Sequence, residues 1–164
     1  MAGPVFTRTE TTIVTENRGA LSAFFNTEKL PWTPWVMPGT EFKLLNIDPL
    51  TGGVTMLLRV EPHNAAPVHG HFGAVEGIIL EGGFSYGEDH GLTGHYLFEG
   101  GGIRHRPDTH DDGLLLFAIA RGPLCGYNDD GSIAGVVDAR VMYDMAAANG
   151  AAAHITPPPH WSED

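Results

Sequence analysis

Histidines are concentrated in the middle of this chain and are the residues best suited to do chemistry. Histidine is the commonest metal ligand in proteins, and glycine lets the backbone turn tightly around a site. Half of the 22 glycines share one 48-residue stretch with seven of the nine histidines, which are His63, His69, His71, His90, His95, His105 and His110. The composition therefore indicates a metal site. The alternative is that these are surface and turn histidines of a glycine-rich loop protein.

Three of these histidines have a spacing that suits a single ion. His69 and His71 lie two residues apart on a predicted strand, so both rings point to one face about 6.5 to 7 Å apart. His105 follows the Gly100-Gly101-Gly102 turn and must come from another strand that folds over the first pair. His110 is the chief rival to His105, as an alternative or additional ligand, although it lacks that spacing from the glycine turn.

Glu76 is the fourth candidate ligand. It follows His71 by five residues, an odd offset that would put it on the opposite face of a straight strand. Gly73 and Ala74 allow the chain to reverse first, which would turn Glu76 inward. It would then coordinate the ion directly or orient a histidine N–H.

Five apolar side chains are predicted by strand alternation to face the same way as the ligands. They are expected to line a mostly apolar substrate pocket, or else to form the core of the barrel. They are Ile78, Leu80, Tyr96, Phe98 and Phe117.

Short apolar runs separated by turns predict β-strands over most of the chain. Residues 42–47 and 54–60 flank Asp48-Pro-Leu-Thr-Gly-Gly and predict a hairpin. Further strands are expected at 66–71, 76–86, 95–98, 114–121, 125–128 and 133–137. Their even spacing favours a sandwich or barrel. Residues 138–149 predict a single C-terminal helix, with Asp138 as N-cap and Gly150 just past its end.

The composition excludes several classes of protein. The 164 residues, 42% hydrophobic and 18% charged, predict one globular domain. We divide it into an N-terminal arm and irregular segment (1–40), a barrel (41–137) and a helix with tail (138–164). The lone Cys125 excludes a disulfide framework, and with no secretory signal pattern the expected compartment is the cytoplasm. No apolar run suits a membrane span, and the net charge of −11 argues against nucleic acid.

Two motifs in the histidine-rich stretch resemble those of the cupin superfamily. The first, H-x-H, four residues, E, six residues, G, is matched by His69, His71, Glu76 and Gly83. The second is met by Gly94, Gly102 and His105, with Gly100 in place of the usual proline. Residues 31–148 are more closely similar to small single-domain cupins of the 2,4'-dihydroxyacetophenone dioxygenase type and, more loosely, to the acetylacetone-cleaving dioxygenase.

That resemblance implies an all-β double-stranded β-helix, or jelly roll, with a short N-terminal arm and one C-terminal helix. It also implies a mononuclear non-haem Fe(II) held chiefly by histidines, and oxidative cleavage of a carbon–carbon bond. Neutral imidazoles suit Zn and Ni as well. Because three histidines leave the charge of the ion uncompensated, we expect an anionic chelating substrate, from a β-diketone or a hydroxyacetophenone, together with dioxygen.

Two other functions fit the same residues. One is a non-catalytic metal-binding sensor, since the cupin domains of zinc-dependent anti-sigma factors are similar in this region. The other is a metal-dependent isomerase or lyase. The expected partner is a second copy of the chain, in a homodimer or higher homo-oligomer that covers residues 1–15, the segment of Trp32 and Trp35 and the exposed strand edges. In the alternative, Trp32 and Trp35 plug one end of the barrel.

Overall fold

The computed structural model describes residues 24–162, which form two antiparallel β-sheets and one α-helix. The strands are β1 (Thr33–Pro34), β2 (Thr40–Asp48), β3 (Gly53–Val60), β4 (His69–His71), β5 (Val75–Tyr86), β6 (Asp89–Leu92), β7 (Tyr96–Glu99), β8 (Arg104–His105), β9 (Asp108–Ala120), β10 (Leu124–Tyr127) and β11 (Ile133–Val137). Helix α1 spans Ala139–Ala148, and 3-10 helices lie at Thr27–Lys29 and Pro159–Ser162. The predicted arm, residues 1–15, lies outside the described residues.

The two sheets face each other and enclose the core. The larger sheet has the strand order β1-β2-β3-β9-β5-β6, with β7 also paired to β5. The smaller sheet has the order β11-β10-β4-β8. The largest fully buried side chains are Phe42, Leu44, Ile79 and Met142. This architecture confirms the predicted all-β jelly roll with one helix after the last strand.

The predicted hairpin is the pair β2 and β3, and the carboxylate of Asp48 shapes its turn. Asp48 Oδ1 accepts hydrogen bonds from the backbone N–H groups of Leu50 at 2.9 Å and Thr51 at 3.3 Å. Asp48 Oδ2 accepts another from the Thr51 hydroxyl at 2.7 Å. Gly52 then adopts φ +74°, a conformation that glycine reaches without strain. The turn residues therefore fix the hairpin locally.

Helix α1 begins and ends as its sequence predicts. The Asp138 side chain accepts from the Val141 N–H at 2.9 Å, and Gly150 has φ +69° just past the end. Met142 lies on the buried face of the helix, where its sulfur accepts a hydrogen bond of 2.9 Å from Trp35 Nε1. With ten residues, α1 is shorter than the ~20 needed to span a bilayer, and no helix among residues 24–162 is long and apolar enough to do so.

Two short strands, β1 and β6, lie outside the strands predicted from the sequence. They have two and four residues, which is too few for an alternating pattern to stand out. Strand β9 also begins earlier than predicted, at Asp108, because its polar first half continues to pair with β5 after register shifts. The separate strand expected for His105 is β8, which has two residues.

Candidate metal centre

Three histidines meet on the inner face of the smaller sheet. His69 and His71 are alternate residues of β4, so their side chains share one face. Strand β8 pairs with β4 in a register that sets His105 opposite His69. Cross-strand neighbours on one face lie within about 5.5 Å of each other at Cβ. The structure thus brings together the three histidines that the sequence singled out, and they could hold one metal ion.

The Nε2 atoms of the three rings converge on one point. His105 Nε2 lies 2.9 Å from His71 Nε2 and 3.0 Å from His69 Nε2. Two ligands at right angles on an ion, each with a bond of about 2.1 Å, stand about 3.0 Å apart. Both measured spacings therefore suit pairs of nitrogen ligands at right angles on one ion, and the ligand atoms of all three histidines lie within 4.8 Å of one another.

The hydrogen bond of His69 favours a lone pair that points inward. His69 Nδ1 donates to the carbonyl of Pro67 at 3.0 Å, which places the proton on Nδ1 and leaves Nε2 free to bind. Within residues 24–162, His71 Nδ1 and His105 Nδ1 have no hydrogen-bond partner although both are buried. The Tyr86 ring stacks on His105 with centroids 4.7 Å apart and so holds that ring in place.

Burial keeps these imidazoles neutral. Desolvation lowers the pKa of His71 to about 3, with smaller contributions from the neighbouring His69 and His105. Desolvation also lowers the pKa of His105 to about 4 and depresses that of His69, which the Pro67 hydrogen bond partly offsets. A neutral imidazole is the form that binds a metal. In the metal-free protein the ligand form is therefore present at neutral pH.

Glu99, which the sequence analysis missed, is the carboxylate of this site. It lies at the end of β7 and is 6% exposed. Its Oε2 lies 3.2 Å from His71 Nε2, and its Oε1 lies 3.8 Å from His105 Nδ1 and accepts a hydrogen bond from the Tyr86 hydroxyl. Burial raises the pKa of Glu99 to about 7. Strand alternation sets Glu99 opposite in direction to Phe98, and the sequence analysis directed Phe98 inward, so alternation alone pointed Glu99 the wrong way.

Gly70 separates the two histidines of β4, and steric contacts require a glycine at this position. A Cβ at this position would lie 2.5 Å from the Tyr127 hydroxyl and 3.1 Å from the carbonyl of Ile103. Tyr127 is held over this point because its ring stacks under the Arg104 guanidinium at 4.1 Å. Glycine is therefore the residue that fits between the two candidate ligands.

The prediction that Glu76 turns inward is wrong. Its side chain lies on the outer face of β5, paired with Arg121 and accepting a hydrogen bond of 2.8 Å from the Tyr96 hydroxyl. Arg121 first, and then Tyr96, lowers the pKa of this carboxyl. The chain does turn at Gly73, but β4 and β5 belong to different sheets, and Val75 is the first inward residue of β5.

The predicted pocket residues face outward for the same reason, because the inward and outward positions of β5 and β7 are the reverse of those expected. In β5 and β7 the outward positions are occupied by Ile78, Leu80, Tyr96 and Phe98, all of which are exposed. Phe117 is half-buried and lies beside Ile78 on the same face. None of the five lines the inner cavity described below.

The rival ligand His110 also lies away from the three histidines. It is on the outer face of β9, where its Nε2 hydrogen-bonds to the Ser85 hydroxyl. That hydroxyl also lies 2.7 Å from His90 Nδ1. Strand β9 carries Thr109 inward, so its neighbour His110 must face outward.

A small cavity adjoins the histidines inside the barrel. Its volume is about 80 Å³, and His69, His71 and Glu99 form its polar wall. The remaining wall is mostly apolar and includes Trp35, Met56, Val75, Phe84, Leu97, Leu116 and Ala118. A second hollow of about 230 Å³ lies outside and shares Trp35, Met37, His69 and Leu124 with the cavity. The arrangement could bind a small, largely apolar molecule next to an ion.

A jelly roll with histidines from the H-x-H motif and from a later strand defines a cupin. The model of the ChrR cupin-like domain family matches residues 21–124. The chain therefore belongs to the ChrR cupin-like domain family. No curated protein matches the chain significantly.

Solved structures with the same fold include three cupins of low sequence identity. An RmlC-like cupin protein from Ralstonia eutropha is 23% identical, with a TM-score of 0.74 over 84% of this chain and 92% of its own. A candidate acetylacetone dioxygenase from Methylibium petroleiphilum is 19% identical, with a TM-score of 0.71 over 85% and 99%. An acetylacetone dioxygenase from Acinetobacter johnsonii is 17% identical, with a TM-score of 0.66 over 90% and 97%. At these identities the likeness concerns the fold.

Proposed function

We propose that this protein is a mononuclear non-haem Fe(II) dioxygenase that cleaves a carbon–carbon bond in a chelating substrate, a β-diketone or a related hydroxyketone. The observation that carries the proposal is the convergence of three neutral imidazoles, His69, His71 and His105, on one point at the wall of a buried apolar cavity. The acetylacetone dioxygenases of the same fold support the choice of reaction. When bound, Fe(II) would supply open positions for a chelating substrate and electrons for dioxygen.

The charge of the site favours an anionic substrate. Three neutral histidines leave the double charge of a divalent ion uncompensated, and the cavity wall beyond Glu99 is largely apolar. A chelating enolate would bring one negative charge through two oxygen atoms. A neutral monodentate ligand would bring none, so the enolate is favoured in this low-dielectric surrounding.

Glu99 is placed to take the proton that such a substrate loses. Burial raises the pKa of Glu99 to about 7 in the metal-free protein, and a divalent ion held by the neighbouring histidines would lower it, which would leave the carboxylate able to accept a proton. The proton leaves the carbon between the two carbonyls, or the hydroxyl of a hydroxyketone, and is held at Glu99 Oε2. The Tyr86 hydroxyl, which donates to Oε1, keeps the carboxyl oriented.

The size of the cavity favours a small aliphatic diketone over an aryl ketone. The cavity measures about 80 Å³, whereas an engineered protein cavity that accommodates benzene measures ~150 Å³. A five-carbon diketone is itself larger than benzene, so the cavity must widen to admit either substrate type, and it must widen less for the diketone.

Metal analysis followed by oxygen uptake tests the proposal. Protein loaded anaerobically with Fe(II) should bind one ion per chain and consume dioxygen with acetylacetone, and more slowly with 2,4'-dihydroxyacetophenone. His71→Ala should lose both the iron and the uptake, whereas the matched control His110→Ala should keep them. Iron binding without uptake on any diketone or hydroxyketone would refute the reaction.

A metal-binding regulatory module is the second candidate. The observation that favours it is the family itself, whose model is named for ChrR, and the three histidines with Glu99 are donors that Zn also accepts. Tight binding of one Zn per chain, with no turnover after Fe(II) loading, would support this function.

A further inference from the structure

The outer face of the larger sheet carries an apolar surface that the site does not use. We call it the outer patch and define it by five exposed side chains on β5, β6 and β7. They are Ile78 (47% exposed), Leu80 (41%), Leu92 (50%), Tyr96 (63%) and Phe98 (62%).

The strand register makes the outer patch continuous. Tyr96 on β7 lies opposite Ile78 on β5, which lies opposite Phe117 on β9 and then Leu57 on β3. Residues directly opposite each other in an antiparallel pair share a face. One apolar row therefore crosses four strands, and Phe98 lies in the next row.

The area of the patch is compatible with the centre of a dimer interface. From the exposed fractions, the five side chains present on the order of 450 Å² of apolar area to solvent. This lies within the range of about 300–600 Å² for the largest apolar patch on a typical monomer, which is often a functional surface. Each partner of a standard interface contributes about 800 Å², so the patch can supply about half of one side.

The charges on and around the outer patch indicate which kind of partner can cover it. The chain has a net charge of −11, so two copies repel each other unless they meet on neutral surface. The five patch residues are uncharged. Of the two carboxylates beside them, Glu76 is paired with Arg121, and Glu81 is exposed at the margin, next to Leu80 and opposite Leu115. A second copy would present the same neutral apolar face, as two-fold symmetry requires.

We propose that a second copy of this chain docks on the outer patch, sheet face against sheet face, about a two-fold axis. Tyr96 and Phe98 are the anchors, because they are the most exposed side chains of the patch and aromatic residues are enriched among those that dominate interface energies. The docked face includes four side chains that the sequence analysis assigned to the substrate pocket, namely Ile78, Leu80, Tyr96 and Phe98. The proposal is independent of the dioxygenase function, and it places the contact on the sheet rather than on residues 1–15.

Sedimentation equilibrium of the full chain tests it, with Phe98→Glu and Ile78→Glu as patch variants. Leu50→Glu is the matched control, since Leu50 is 95% exposed in the β2–β3 turn. The wild type and the control should be dimers at tens of micromolar. Each patch variant should raise the dimer dissociation constant at least about 30-fold, the effect of an interface hot spot. Unchanged bound metal and an unchanged far-UV circular dichroism spectrum would show that the variants fold.

Hydroxyl-radical footprinting of the wild type gives a second measurement that needs no variant. Oxidation of Tyr96 and Phe98 should fall several-fold between dilute and concentrated protein, while that of Leu50 stays constant. A monomeric wild type would overturn the proposal. Patch variants that dimerise as strongly as the control would also overturn it. The same holds if only the deletion of residues 1–15 abolishes the dimer.

Discussion

His71, His105 and Glu99 are buried ionisable side chains whose pKa values depart from the usual ones in opposite directions. Below pH 6.5 the unfolded chain binds protons on these histidines that the folded, metal-free protein does not, so acidification lowers the free energy of unfolding. Glu99 acts oppositely, because between pH 4.5 and 7 the folded protein holds a proton that the unfolded chain has released. The pKa of His69 is lowered as well. Three histidines therefore oppose one carboxyl, and the net effect of acidification is a loss of stability.

The first prediction is therefore that the metal-free protein loses stability from pH 6.5 to 4.5, by about 1.4 kcal/mol per pH unit for each net proton. Urea unfolding at three pH values measures this slope. His71→Gln should flatten it, and Glu99→Gln should steepen it because the offsetting carboxyl is gone. Identical slopes in all three proteins would contradict the assignment of these shifts.

A second prediction distinguishes the two carboxylates. Glu99→Gln removes the charge 3.2 Å from His71 Nε2, and we expect it to weaken binding of Zn or Fe(II) by about 10- to 100-fold. Glu76→Gln breaks a solvent-screened outer-face pair with Arg121 and should leave metal affinity unchanged. Competition titration with a chromophoric chelator measures both. The reverse order would restore Glu76 as the ligand.

At the scale of single strands, β4 depends on the absence of a side chain at Gly70. Gly70→Ala places a methyl group 2.5 Å from the Tyr127 hydroxyl, and we expect a loss of about 1–3 kcal/mol in the free energy of unfolding. Chemical denaturation measures this third prediction.

Tyr127→Phe removes the clashing oxygen, so a double-mutant cycle supplies the control. Gly70→Ala should cost less in the Tyr127→Phe background than alone, by more than about 0.5 kcal/mol. Additive losses would mean that the Ile103 carbonyl, at 3.1 Å, is the main obstacle.

Strand alternation explains what could be predicted from the sequence and what could not. The spacing of His69 and His71 fixed their common face, because two residues of one strand always share it when one position separates them. Glu76 lies past a turn and in the other sheet, so counting from His71 carried no information on its direction. Counting within β5 does, and Val75 inward requires Glu76 outward.

At the scale of the whole molecule, the pairing of distant strands was beyond the sequence. Glu99 reaches the histidines because β7 pairs with β5 in a register that sets Glu99 opposite the inward Val75. Nothing local in residues 96–99 specifies that partner. The jelly roll and the histidine set were predictable because motif spacing and turn residues are local signals, and the carboxylate depended on long-range register.

The fourth prediction concerns global stability. A metal that binds only the folded chain stabilises it by about 2.7 kcal/mol at a free concentration 100 times the dissociation constant. For a domain of this size, that corresponds to a rise of roughly 5–10 °C in melting temperature. Calorimetry with and without Zn measures the shift, which His71→Ala should abolish and His110→Ala should retain. An equal shift in both variants would place the ion elsewhere.

Trp35 gives the molecule an optical reporter of its own interior. Its indole is 8% exposed, borders the inner cavity and donates to the Met142 sulfur. The other two tryptophans, Trp32 and Trp161, are half-buried on the periphery. Replacing those two with Phe leaves a single emitter beside the chamber, so its wavelength and lifetime record whether water, a small molecule or a quenching ion occupies the space.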